Sequence, residues 1–201
     1  MPVKLTPRKA PHQPRAKVTV EAILIAAERL SRQPGLDAWT TNHVAELAGV
    51  SIGSLYQYFP SKPSLVAALY AQRYTARLAA LADALVEGPS RLGDRAAAAL
   101  LAGGAAEYAL DLQLRAHLEA AGAQRKLRPL DDQSAQLIAQ FLIAHQRWPE
   151  APARRIGAVL ARALASAIDA VAIEHPAWFA DPAFHRELAV LIEAMLAPAR
   201  P

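Results

Sequence analysis

Apolar positions recur along this chain at helical spacing, and almost nowhere at the alternation of a strand. Val20, Ile23, Leu24, Ala27 and Leu30 stand at i, i+3, i+4, i+7 and i+10 and so share one helix face. The pattern predicts a first helix over Val20–Arg32, capped by Thr19 and stopped by Pro34-Gly35. Thr40 caps a short second helix, 41–48, and Gly49 supplies the positive φ that a tight turn needs. Ser51 caps a third helix, 52–59, which Pro60 terminates. Ser61 caps a long fourth helix running from Lys62 to 86; Pro63 is tolerated there because first-turn N–H groups have no intrahelical partner. Gly88, Pro89 and Gly93 break the pattern. Further helices are predicted at 94–111, 113–123, 130–147, 152–173 and 183–196, punctuated by Pro129, Pro149, Pro152, Pro176 and Pro182. The fold class is all-α.

Residues 41–60, TNHVAELAGVSIGSLYQYFP, carry the most specific local pattern. Val44, Ala48, Val50, Leu55 and Tyr58 fall where two steeply crossing helices need apolar contacts, and Ala45 is small where they approach closest. A short helix, a tight turn at Gly49 and a second helix presented outward make a helix-turn-helix.

Composition narrows the picture. The 201 residues contain no cysteine, which rules out disulfides, thiolate zinc sites and cysteine nucleophiles. The chain is 53% hydrophobic but only 6% aromatic, because alanine supplies the excess, and alanine favours helix. No uninterrupted apolar run reaches the roughly 18 residues of a membrane span, and Met1–Lys17 lacks the apolar core of a secretory signal. A cytoplasmic protein with no membrane partner is expected. The net charge of +4 belongs wholly to residues 1–70, which hold eight basic and four acidic side chains. Such asymmetry suits a polyanionic partner. Five of the eight basic groups lie in residues 1–17 with Pro2, Pro7, Pro11 and Pro14; proline at this density predicts a disordered basic arm, either lying along DNA or serving as a solvating tail.

The stretch TTNHVAELAGVSIGSLYQYFPSKPSL, residues 40–65, resembles the signature of TetR-family transcriptional regulators. AGVS, SLYQYF and the following SK are its telling pieces, and the likeness extends over about residues 19–70. The resemblance implies a three-helix DNA-binding domain at 18–64 after the arm, and a helical ligand-binding and dimerisation domain at 65–201. It further implies a homodimer, usually a repressor, that binds a palindromic operator in double-stranded DNA and is released by a small-molecule effector. An activator, or a regulator of the same fold without an effector, is the alternative. No cofactor is expected.

The third helix would enter the major groove. Leu55, Tyr58 and Phe59 then face inward, Tyr58 being chiefly core. Gln57 can pair with adenine N6 and N7, and Ile52 suits a thymine methyl. Gly53 lets the backbone approach a phosphate, while Ser54 and Tyr56 bring hydroxyl donors. Thr40 and Thr41 stand at the start of the second helix, where free N–H groups attract phosphate, and Asn42 follows within reach of a base. Thr40 and Ser51 are first of all caps. Lys62 matches a phosphate-contacting lysine of the family. One departure stands out: many members carry a basic residue at the position of Ile52, so this recognition helix is uncharged, and affinity must lean on Lys62, helix N-termini and the arm.

Gly49–Gly53 also satisfies G-x-S-x-G, the serine-hydrolase elbow. That chemistry places Ser51 on a strand-to-helix turn, with an acid and a histidine downstream. The helical spacing of residues 41–48 and the lack of strands argue for Ser51 as a cap. No enzyme activity is expected.

In the second domain, helices 152–173 and 183–196 match the pair that packs against its dyad mate in the family. Gly157, Ala161, Ala165 and Ala172 allow close approach, and Leu160, Leu164, Ile168 and Val171 form an apolar stripe. Glu187, Leu188, Val190, Leu191 and Met195 mix faces on the last helix. Candidate effector contacts are Tyr108, Gln113, His117, His145, Gln146, Trp148, Arg162 and Asp169. Asp169 stands out as an acid within an apolar helix, costly to bury unless paired. His117 and Glu119 lie two apart and cannot share a metal, so none is expected. Alanine-rich helices with few aromatics suit a hydrophobic or weakly polar effector.

Overall fold

The computed structural model describes residues 14–32 and 36–197. Along them run α1 (Pro14–Ser31), a 3-10 turn (Leu36–Ala38), α2 (Thr41–Leu47), α3 (Ile52–Tyr58), α4 (Lys62–Val86), α5 (Leu92–Leu101), α6 (Gly104–Ala120), α7 (Gln124–Gln146), α8 (Glu150–Glu174), a second 3-10 turn (Pro176–Ala180) and α9 (Pro182–Leu196). No strand occurs among the described residues.

Four boundaries differ from those the sequence predicts. α1 starts at Pro14 rather than Val20, so residues 14–17 of the expected arm are helical. Proline suits a first helical position, since its missing N–H has no acceptor there. The rest of the arm, and the expected stop at Pro34-Gly35, lie outside the described residues. The predicted helix 94–111 is divided: α5 ends at Leu101, and Gly103 and Gly104 follow with φ of +82° and +76°. α6 then runs unbroken through the boundary expected near 112. Pro129 lies inside α7 instead of before it.

The chain divides into two compact units: residues 1–73 with 110–125, and residues 74–109 with 126–201. The first therefore takes in the greater part of α6, beyond the expected domain at 18–64. Its core joins Ile23 and Ala27 of α1, Val44 of α2, Leu55 of α3, Leu65, Val66 and Leu69 of α4, and Leu114 and Leu118 of α6, all nearly or fully buried. The core of the second unit is built from α5, α7, α8 and α9, with Ala97, Leu142, Ile168 and Ile192 at its centre. Arg95 closes α4 in this unit: its guanidinium donates to the carbonyls of Ala84, Gly88 and Ser90, satisfying acceptors that the end of the helix leaves open.

α8 corrects the sequence reading of its faces. Gly157, Leu164, Ile168 and Ala172 are buried within the unit. Gly157 lies so close to α7 that an added Cβ would stand 2.6 Å from the Ala135 carbonyl oxygen. The face left in solvent carries Ile156, Val159, Ala163, Ala167, Ala170 and Ile173, with Val190 and Leu191 exposed on α9. Despite the expectation of no apolar span, α8 is long and apolar enough to cross a membrane by length and composition alone. Alanine raises the mean hydropathy around the interior Arg162 and Asp169, so the helix passes without an uninterrupted apolar run.

The α5–α9 contact depends on the absence of a side chain. A Cβ at Gly93 would meet the Ala189 carbonyl oxygen at 2.2 Å. Gly93→Ala is expected to force these helices apart and lower stability by about 1–3 kcal/mol, read from chemical denaturation followed by helical circular dichroism.

Candidate nucleic-acid interface

α2 and α3 are both fixed by side-chain caps. Thr40 Oγ1 accepts from the His43 backbone N–H at 3.4 Å, and His43 Nδ1 accepts from the Thr40 N–H at 3.4 Å, a reciprocal capping box. Gly49, at φ +67°, turns the chain out of α2 while the Val50 N–H returns to the Ala45 carbonyl. Ser51 Oγ then accepts from the Ser54 N–H at 3.0 Å and starts α3. Ser51 thus joins two helices, not a strand to a helix. Val44, Ala45, Leu55 and Phe59 fill the space between α2, α3 and the rest of the unit.

With those residues inward, α3 turns Ile52, Gly53, Tyr56 and Gln57 to solvent, with Ser54 and Tyr58 half-buried. Thr40, Asn42 and His43 are exposed at the start of α2. Thr41 differs from the expected phosphate-facing residue: it is buried, and its Oγ1 lies 2.9 Å from the Tyr56 hydroxyl.

Lys62 departs furthest from expectation. Its ammonium turns inward, donating to the Leu36 carbonyl and, at 2.7 Å, to the Trp39 carbonyl, and it stands 4.3 Å from the Trp39 ring centroid. The 3-10 turn and the entry to α2 leave these carbonyls open, and the first turn of α4 supplies the donor. Desolvation holds the ammonium below the usual lysine range, with Asp37 offsetting part of the effect. Lys62 ties α4 to the segment before α2; it is not a side chain extended for phosphate.

Residues 23–69 match the family model of bacterial regulatory proteins, tetR family. The chain carries a TetR-family DNA-binding domain. A transcriptional regulator from Rhodococcus sp. Rha1 is 21% identical at a TM-score of 0.62, over 88% of this chain and 93% of that one. NalD of Pseudomonas aeruginosa, the secondary repressor of the MexAB-OprM multidrug efflux pump, is 22% identical at 0.56, over 90% and 95%. The TetR family repressor AlkX from Dietzia sp., implicated in biodegradation of n-alkanes, is 19% identical at 0.54, over 94% and 97%. At these identities the likeness shows a shared fold across most of the chain. A search of curated proteins finds no match.

Sequence reasoning missed the ionic centre of the first unit. Arg73 of α4 donates to Asp111 of α6 at 2.5 Å and to Glu28 of α1. Asp111 is buried. An acid on the apolar stripe Leu110, Leu114, Leu118 was the available signal; its partner, 38 residues away, left none.

The effector candidates divide between the units. Tyr108 and Asp169 are brought together, the phenol donating to the carboxylate at 2.9 Å. Phe179 packs on the Tyr108 ring with centroids 5.6 Å apart, and the Arg77 guanidinium lies 4.9 Å from its centroid. Nothing in the local sequence singles out Arg77 or Phe179. His145 is exposed and packs on Phe141, and Trp148 is half-buried. Gln146 donates to the Leu196 carbonyl, while Gln113 and Arg162 are exposed. His117 belongs to the other unit, with the helix-turn-helix. Its pKa is held below the ordinary value by desolvation and by the positive Lys62, against the pull of Asp37.

Two outcomes follow. Lys62→Met should cost about 1–3 kcal/mol of stability through two lost charge-assisted hydrogen bonds and leave the salt dependence of DNA binding unchanged; a slope lower by about one unit would return Lys62 to the phosphates. His117 binds a proton more weakly folded than unfolded. Stability is therefore complete above its unfolded pKa of about 6.5 and falls as pH drops through the folded value. His117→Gln should flatten that acid limb in denaturation series.

Proposed function

We propose that this chain is a repressor that binds a palindromic operator as a homodimer and is released by a small-molecule effector. The observation that carries this reading is the capped helix-turn-helix within the matched residues 23–69, with α3 turning the uncharged face of Ile52, Gly53, Tyr56 and Gln57 outward. In this reading Asn42, Ile52 and Gln57 meet base edges. Thr40, Gly53, Ser54 and Tyr56 lie along the backbone, because hydroxyls and close main chain suit phosphate oxygens.

One helix-turn-helix reads half a palindrome, and twofold symmetry supplies the other half. The exposed apolar face of α8 and α9 supports a second copy as its cover. Ile156, Val159, Ala163, Ala167, Ala170 and Ile173 recur every three or four residues, and the small members permit close helix approach. Two related structures are described as repressors, which supports repression over activation.

The effector is hydrophobic or weakly polar, engaging the second unit around Tyr108 and Asp169, where Arg77 and Phe179 complete a mixed polar and aromatic cluster. To release DNA it must bind the released state more tightly than the bound one.

Selection of bound genomic fragments, followed by a reporter driven from the recovered promoter, tests the reading. Twofold-symmetric fragments and a reporter that rises when the protein is removed are expected; a reporter that falls makes the protein an activator. Val159→Glu places a charge on the exposed face, and should give a monomer by sedimentation with normal helical content and weakened operator binding. A dimer that persists would move the interface elsewhere.

A further inference from the structure

The pairing of Thr41 with Tyr56 crosses from α2 to α3, between residues 15 apart in the chain. The two oxygens lie 2.9 Å apart and share one proton, so one hydroxyl proton remains to be given elsewhere. Thr41 is 9% exposed and Tyr56 43%. Were the phenol to donate inward, the remaining proton would sit on the buried threonine, where a bulky partner has little access. Were Thr41 to donate, the phenol keeps its lone pair occupied and its proton directed outward.

We propose that Thr41 is a positioning residue for DNA binding, acting through Tyr56. It donates its hydroxyl proton to the phenol oxygen and so fixes Tyr56 as a donor to the DNA backbone. The inference rests on the reading that α3 faces DNA. Phosphate oxygens only accept, so contact with one sets the direction of the whole chain: Thr41 O–H to Tyr56 oxygen, Tyr56 O–H to phosphate. Hydrogen bonds joined in this way polarise one another. The arrangement suits a recognition helix that has no cation between Ile52 and Tyr58. An anchored phenol gives a charge-assisted contact at a fixed position without a charged side chain.

The test is a double-mutant cycle on the full chain, using a fluorescent duplex recovered by genomic selection. Thr41→Val keeps the shape and removes the hydroxyl; Tyr56→Phe removes the phenol oxygen. Each should weaken binding by about tenfold, and the double variant should lose about the same tenfold, because the two groups act as one. Thr41→Ser should stay within about twofold of the parent. The salt slope should stay unchanged throughout, since no charge is removed. A double variant weaker by about a hundredfold, an unaffected Thr41→Val, or a Thr41→Ser as weak as Thr41→Val would each overturn the proposal. Should Thr41→Val fail to fold, Thr41→Ala takes its place in the cycle. If the parent chain binds no duplex, the DNA-binding reading itself fails; additive losses with a binding parent refute the relay alone.

Discussion

The guanidinium of Arg73 is shared between Glu28 of α1 and Asp111 of α6, and it holds three helices of the first unit in one arrangement. A buried carboxylate at Asp111 without this partner would carry a desolvation penalty of several kcal/mol. Breaking the pairing would therefore cost more than its formation adds in net stability. Glu28 is held from a second side by Arg32, just past the end of α1. Because α1 packs directly on α2, and α2 on α3, the placement of the recognition helix follows from where this guanidinium fixes α1 and α4.

The helix-turn-helix was legible because its signals are local. Thr40, Gly49 and Ser51 act within three residues of themselves, through caps and a positive φ, and the apolar spacing around them has one solution. Features that depend on distant partners were not legible. The residue type at Lys62 matched the family pattern, yet its charge is taken up by carbonyls 26 and 23 residues earlier. The break between α5 and α6 was hidden in an alanine-rich run whose spacing continues through Gly103-Gly104. α8 shows the limit of periodicity most directly: it has two apolar faces, and spacing alone does not say which one the fold buries. Gly157 resolves the choice only once the backbone of α7 is seen against it.

With the Lys62 ammonium turned inward and α3 uncharged, the exposed basic side chains among the described residues before α4 belong to α1 and its end. Lys17 and Arg29 are exposed there, and Arg15 and Lys17, expected in an irregular arm, are part of the helix. A helix fixes the backbone positions of such residues, whereas an irregular arm does not. Under the proposed function, long-range attraction and base reading would be carried by different helices, leaving α3 neutral groups whose hydrogen bonds discriminate by geometry.

The same separation bears on how an effector would act under the proposed function. Arg73 and Arg77 stand one turn apart on α4, and Tyr108 and Asp111 one turn apart on α6. In the first unit Arg73 bonds Asp111; in the second Arg77 lies over Tyr108, whose hydroxyl is held by Asp169. A ligand that draws Tyr108 away from Asp169 acts on a helix whose next turn carries the buried acid of the ionic centre. Allosteric coupling energies are about 1–3 kcal/mol, the scale of one charge-assisted hydrogen bond at about 1.5–3 kcal/mol. Under the proposed function, weakening one contact to Arg73 would be of the right size to carry such a coupling.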